Sequence, residues 1–306
     1  MRAVMTGATG FIGTRLLEHL AAAGWDSPVV LSRDPARASQ TLGRFHPVTH
    51  RWDPMIGLPP VEAFDGAAAV FHLAGESVAN GRWTKARKQR IRDSRVTGTR
   101  NLVAGLQRLA TRPAMLISGS AVGYYGPRGD ETLTESASPG HDFLAEVCMA
   151  WEEAALAARS LGIRVALSRT GVALGNGGAL AKMLLPFKLG AGGPLASGRQ
   201  WMPWIHVDDL AALLLFAAET PSLAGPFNAV APQPVTNRDF TRALARQLHR
   251  PAFFPAPYFA LRVAFGEMAS MLVASQRAVP QAAEQAGYQF RYPDINATLS
   301  DILGPK

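Results

Sequence analysis

Three glycines at three-residue spacing, Gly7, Gly10 and Gly13, fall in the run Thr6-Gly7-Ala8-Thr9-Gly10-Phe11-Ile12-Gly13, directly after the apolar segment Ala3-Val4-Met5. Glycines so placed let a chain turn tightly, let backbone N–H groups approach a phosphate, and let a helix pack closely on the preceding strand. The residues from Thr14 to Leu20 then repeat apolar positions at helical spacing. A helix N-terminus supplies unpaired N–H donors and the positive end of its dipole. The chemistry open to this unit is retention of a pyrophosphate, and strand, turn and helix in that order predict a dinucleotide site in preference to a bare structural turn. Other reactive side chains add little. The seven histidines are scattered without paired spacing and Cys148 is the single cysteine, so no metal site is expected.

The elements that must hold this unit alternate along the chain. Apolar segments at 27–31, 67–75, 114–118 and 165–169 read as strands, with Phe45 to Thr49 leading to another edge. Helical patterns run over 94–109 and over the alanine-rich stretch 143–161. Continuously apolar strands alternating with helices predict an α/β fold, a doubly wound parallel sheet covered on both faces. Beyond it, glycine-rich turns at 175–178 and 190–194 flank a helical piece, Asn237 reads as the cap of a helix over 238–248, and a further helix is expected over 258–274. The division expected is residues 1–175, with 200–232 returning to them, as the nucleotide domain, and 176–199 with 233–306 as a smaller, mostly helical substrate domain.

Composition excludes several classes. Hydrophobic content of 48% and charged content of 18% suit a chain with a sizeable core, and no apolar run approaches a membrane span. One cysteine and the absence of a signal sequence point to a reducing compartment, the cytoplasm, with no membrane partner. The net charge of +8 is concentrated partly in Arg82, Lys85, Arg87, Lys88, Arg90, Arg92 and Arg95. A solvated helix face accounts for that cluster first and a phosphate-rich small ligand nearby second; nucleic acid comes last, since no aromatic residues are interleaved for bases to stack on.

In combination, Thr6 to Gly13, His72-Leu73-Ala74-Gly75, Val96-Thr97-Gly98-Thr99-Arg100-Asn101-Leu102, Gly123-Tyr124-Tyr125-Gly126, Trp204-Ile205-His206-Val207-Asp208-Asp209 and Gln289-Phe290-Arg291-Tyr292-Pro293 carry a family resemblance. The chain resembles atypical extended short-chain dehydrogenases/reductases, the nucleoside-diphosphate-sugar epimerase-like branch, and its tail from about residue 250 is similar to that branch's C-terminal domain of unknown function. The resemblance implies a Rossmann-type fold and a nicotinamide cofactor. An acidic residue closing the second strand would select NAD; Ser32-Arg33 stands there instead and suits the 2′-phosphate of NADP(H), while Asp34 reads as a helix cap. The resemblance also places Asp53 near the adenine and Leu73, Ala74 and Gly75 beside the dinucleotide. It sets Arg95 where typical members have an asparagine, and Arg169, Val172 and Ala173 along the nicotinamide.

Typical members use a serine or threonine with Tyr-x-x-x-Lys on one helix face. The corresponding helix here, Phe143 to Glu152, has neither tyrosine nor lysine. Ser118 and Ser120 end the strand that presents the hydroxyl, and Ser120 precedes Tyr124 by the spacing of the extended pattern, which makes Ser120 and Tyr124 the catalytic candidates. His206 reads as a helix cap more readily than as a substrate contact. The expected function is an NADP(H)-binding oxidoreductase or epimerase-like enzyme, monomer or homodimer, acting on a small polar or anionic substrate. The alternative is a catalytically silent NADP(H)-binding sensor.

Overall fold

The structure, a computed structural model, describes residues 1–304. Its centre is a seven-stranded parallel sheet of β1 (Arg2–Thr6), β2 (Val29–Ser32), β3 (Val48–Arg51), β4 (Ala67–His72), β5 (Met115–Ala121), β6 (Arg164–Thr170) and β7 (Gly225–Ala229). The spatial order is β3-β2-β1-β4-β5-β6-β7. The order reverses between β1 and β4, and in open α/β sheets ligands settle in the crevice outside the carboxyl ends of the strands at such a point. The expected doubly wound sheet is therefore present.

Strand residues alternate between two cores, as the two-residue period of a strand dictates. Met5, Phe71, Ile117 and Ala166 face α1 (Phe11–Ala22) and α6 (Val207–Glu219), meeting Leu16, Leu20, Leu210 and Leu214. Val4, Val70, Leu116 and Val165 face α3 (Lys85–Gln107) and α4 (Phe143–Leu156), meeting Leu102, Leu106 and Ala155. Among the other helices, α2 (Pro35–Thr41) follows β2, while α5 (Gly178–Lys188), α7 (Asn237–Leu248) and α11 (Ile295–Leu303) share a smaller core built on Leu180, Trp204, Leu244 and Leu299.

Three boundaries differ from the sequence reading, each for a local reason. The helix expected from residue 94 begins at Lys85, because Thr84 caps it through the Arg87 N–H and its first turns are rich in good helix formers without apolar spacing. Thr236, not Asn237, caps α7; the Asn237 side chain instead accepts the Leu195 N–H. The helix expected over 258–274 is broken into α8 (Tyr258–Phe265) and α9 (Ala269–Val273) at Gly266, whose φ of 63° is left-handed. After them, α10 (Gln281–Gln285) returns to the sheet and sets Ala283 in the core beside α1 and α6.

Buried Asp209 joins the tail to the sheet. Its carboxylate accepts the backbone N–H of Arg291 at 2.9 Å and of Tyr292 at 2.8 Å, and its carbonyl oxygen accepts the Tyr288 hydroxyl. His206 caps α6 through the Asp208 N–H and stacks on Tyr292. The two motifs around residues 206 and 291, far apart in sequence, are thus two halves of one fastening.

Candidate functional site

The glycine turn is a cradle that only glycine permits. Gly7 has a φ of 71°, and a Cβ there would lie 2.8 Å from the Ala74 backbone nitrogen. A Cβ on Gly13 would come within 2.3 Å of the Gly7 carbonyl oxygen. Gly10 is the N-cap of α1 and brings no side-chain cap, so the N–H groups of Phe11, Ile12 and Gly13 open the helix without an intrahelical acceptor. Close backbone packing with an uncapped helix start is the donor set a pyrophosphate requires, and the residues present fit a dinucleotide. Gly175, Gly177 and Gly178 lie against the Phe11 ring, where a Cβ on any of them would come within 3.0 Å of a ring carbon. The second glycine-rich turn thereby roofs the first, a contact that glycine spacing alone does not reveal.

Around the cradle, Thr6 is buried and its hydroxyl bonds to His72 Nδ1 at 2.8 Å, while His72 Nε2 meets the Thr99 hydroxyl at 3.0 Å. Thr6 also accepts the Ala74 N–H, setting Leu73, Ala74 and exposed Gly75 beside the turn. Burial lowers the His72 imidazole to about 4 from its ordinary 6.5. The unfolded chain takes up a proton below pH 6.5 that the folded one refuses until about 4, so this contribution to stability is complete above 6.5 and is lost as the pH falls. A loss of about 2 kcal/mol between pH 7 and pH 5 is expected from this one group, at about 1.4 kcal/mol per unit. Urea unfolding at the two pH values checks it; His72→Asn should flatten the slope by that amount, and an unchanged slope would count against it.

At the end of β2, the Ser32 hydroxyl forms a turn with the backbone of Asp34, whose carboxylate caps α2 through the Arg37 N–H. Arg33 is exposed, with no hydrogen bond or ion pair among the described residues. Arg37, one turn into α2 and also exposed, is a second cation near this end that the sequence reading did not single out. Asp53 accepts the Met55 N–H in the turn after β3. Arg95 lies under Gly75, donates to the Glu76 carbonyl at 2.9 Å and stacks over Trp151. Val172 and Ala173 leave the main sheet in a short strand, Val172–Leu174, paired with Trp204–His206. The basic cluster is more than a solvated face: Arg87 pairs with Glu76, Lys88 with Glu267, and Arg82 donates to the carbonyls of Val263 and Ala264.

The residues at the end of β5 meet an acid that sequence reasoning missed. The Ser120 hydroxyl donates to Glu152 on α4 at 2.6 Å, and Arg169 donates to both Glu152 oxygens at 2.8 Å. All three are buried. Burial disfavours the Arg169 charge, but the hydrogen bonds and charge of Glu152 outweigh it and raise the guanidinium pKa above its ordinary value. Arg169 lies 3.5 Å from the centroid of the Tyr124 ring, a cation–π contact, and donates to the Tyr125 hydroxyl, which in turn donates to Asn228. Burial pushes the Tyr125 phenol up to about 12, and its hydroxyl is committed to that network. Half-buried Tyr124 keeps its hydroxyl free of any partner among the described residues. Ser118 is fully buried and donates to the Gly119 carbonyl. Of the tryptophans, Trp204 is core, Trp83 packs against Phe143, and Trp201 donates to Asp130.

Residues 3–230 match the family described as NAD dependent epimerase/dehydratase, and residues 256–302 match a domain of unknown function, DUF1731. The epimerase family protein YfhF of Bacillus subtilis is 38% identical over 307 aligned residues, covering 100% of this chain and 99% of that protein. The crystal structure of the human epimerase family protein SDR39U1 with NADPH superposes with a TM-score of 0.87 at 33% identity, covering 99% of each chain. A nucleoside-diphosphate sugar epimerase from Corynebacterium glutamicum superposes with a TM-score of 0.80 at 37% identity, over 99% of this chain and 58% of that one.

Proposed function

The chain belongs to the NAD dependent epimerase/dehydratase family, and from that premise we propose that it is an NADP(H)-binding oxidoreductase or epimerase-like enzyme acting on a small polar substrate. The observation that carries the cofactor is the end of β2. The carboxylate that would repel a 2′-phosphate caps α2, and Arg33 stands exposed and unpaired among the described residues. The human relative crystallised with NADPH supports the same reading. NADPH is expected to bind at least about tenfold more tightly than NADH, the worth of one charge-assisted hydrogen bond. Arg33→Asp should erase or invert that ratio; tighter NADH binding by the unaltered chain would refute the assignment.

The nicotinamide, when bound, supplies hydride exchange. The chain's own part is to orient a substrate oxygen. The Ser120 hydroxyl donates its hydrogen bond to Glu152, leaving oxygen lone pairs to accept one, while the Tyr124 hydroxyl, without a partner among the described residues, donates one. Arg169 under the Tyr124 ring holds that phenol in place. A sugar nucleotide is the substrate class suggested by the Corynebacterium relative's name. A second reading, a silent NADP(H) sensor, is favoured by the lack of tyrosine and lysine on α4. Loading the protein with NADPH and following its absorbance against sugar nucleotides, aldehydes and quinones separates the two. Oxidation that Tyr124→Phe abolishes supports the enzyme; silence across the panel with tight cofactor binding supports the sensor.

A further inference from the structure

The C-terminal region exposes apolar side chains that a chain of this kind ordinarily buries. Phe253 and Phe254 are 80% and 83% exposed on the loop between Pro251 and Pro255. Phe259 and Val263 on α8 are 73% and 70% exposed, and Leu189, just past α5, is 73% exposed. The groups are neighbours: α8 follows the phenylalanine loop directly, and a Cβ on Gly193, four residues after Leu189, would overlap the Phe254 carbonyl oxygen. Exposed apolar side chains gathered in one region mark a contact site.

Beside it runs a groove of about 1410 Å³ with Phe253 in one wall and α7 as the other. Arg238, Arg242 and Arg246 recur every fourth residue along α7, a rise of about 6 Å each, and Arg250 follows just past its end. All four are exposed. Their bonds are few: Arg238 to the Ser197 carbonyl, Arg246 to the Asn296 side chain, and Arg242 to Asp239 at 3.8 Å. Among the described residues, Asp239 is the one carboxylate in the groove lining. Lys188 and Arg262 add exposed cations on α5 and α8.

We propose that this face docks peripherally on an anionic phospholipid surface. The arginine row meets the headgroups, and the phenylalanine loop with the apolar face of α8 enters the headgroup–acyl boundary. Apolar side chains beside a basic row are what such an interface recognises. No described helix is long and apolar enough to cross a membrane; the contact proposed is peripheral, and it departs from the expectation of no membrane partner. A single-stranded nucleic acid would use the arginines and phenylalanines but would leave the exposed aliphatic residues in water. A symmetric second copy on this face would set one arginine row against another.

The test is co-sedimentation of the full chain, loaded with NADPH, with vesicles of phosphatidylcholine alone or mixed with phosphatidylglycerol. Binding to the mixed vesicles alone is expected, weakened about fivefold by each of Arg242→Gln and Arg246→Gln. The double variant Phe253→Ser/Phe254→Ser should release the protein while its NADPH affinity and thermal midpoint stay unchanged. The proposal is overturned if mixed vesicles do not bind, or if neutral vesicles bind equally. It is also overturned if an oligonucleotide outcompetes vesicles, or if the phenylalanine variant only converts a dimer to a monomer.

Discussion

Gly13→Ala is expected to weaken dinucleotide binding at least ~100-fold, about 2.7 kcal/mol, while the chain still folds. The added methyl would lie 2.3 Å from the Gly7 carbonyl oxygen and 2.7 Å from the Ala8 Cα, both backbone atoms of the glycine turn. Neither is a flexible side-chain end, so the turn itself must move. Gly7 has no room to retreat, being pressed on the backbone of Leu73 and Ala74. The displacement therefore falls on the N–H groups at the start of α1. Overpacking of this kind costs about 1–3 kcal/mol of stability, which a large sheet survives. Gly24→Ala is the control: its φ of 75° makes alanine strained, but no atom lies within 4 Å of the added methyl. That variant should lose about 1 kcal/mol or more of stability and keep its affinity. Fluorescence titration with NADPH measures both, and a Gly13→Ala chain binding as tightly as its parent would sink the account.

The second large effect concerns the pair beneath Tyr124. Arg169→Met should destabilise the fold by about 3–5 kcal/mol, because it leaves the Glu152 carboxylate buried with its principal partner gone. Side-chain exposures of 4% for Arg169 and 7% for Glu152 leave little access for water to replace the guanidinium. Removing both charges together, as Arg169→Met/Glu152→Leu, should restore most of that loss, since a buried pair and an apolar replacement of similar volume are often close in stability. Ser120 and Tyr125 lose partners in the double variant, so recovery stays incomplete by about 1–3 kcal/mol. Chemical denaturation of the parent, Arg169→Met, Glu152→Leu and the double variant closes the cycle. Equal loss from the single and double variants would show that the charges do not act on each other.

The parallel sheet and its glycine turn were legible because their signals are local. The spacing of Gly7, Gly10 and Gly13 reports a backbone constraint, and apolar runs such as Ala67 to Phe71 report strands buried on both faces. Glu152 was illegible for the opposite reason. As one of three glutamates on an alanine-rich helix, beside Glu146 and Glu153, it looks like a surface residue, and only folding brings it to Ser120 and Arg169 on neighbouring strands. The start of α3 escaped notice because a cap and good helix formers, without apolar period, carry it. Of the adjacent Tyr124 and Tyr125, only tertiary contacts assign one to the Asn228 network and leave the other's hydroxyl free among the described residues.

The fastening at Asp209 bears on how the chain is made. A ribosome releases β7 and α6 well before residues 288–292, so for that interval the Asp209 carboxylate has none of the backbone donors it finally holds. Contacts of such sequence separation form late, after the loop between them has closed. The nascent sheet therefore waits, incompletely closed on one face, until the last turns of the polypeptide arrive. A translation stall shortly before Tyr288 would expose that face to chaperones and proteases.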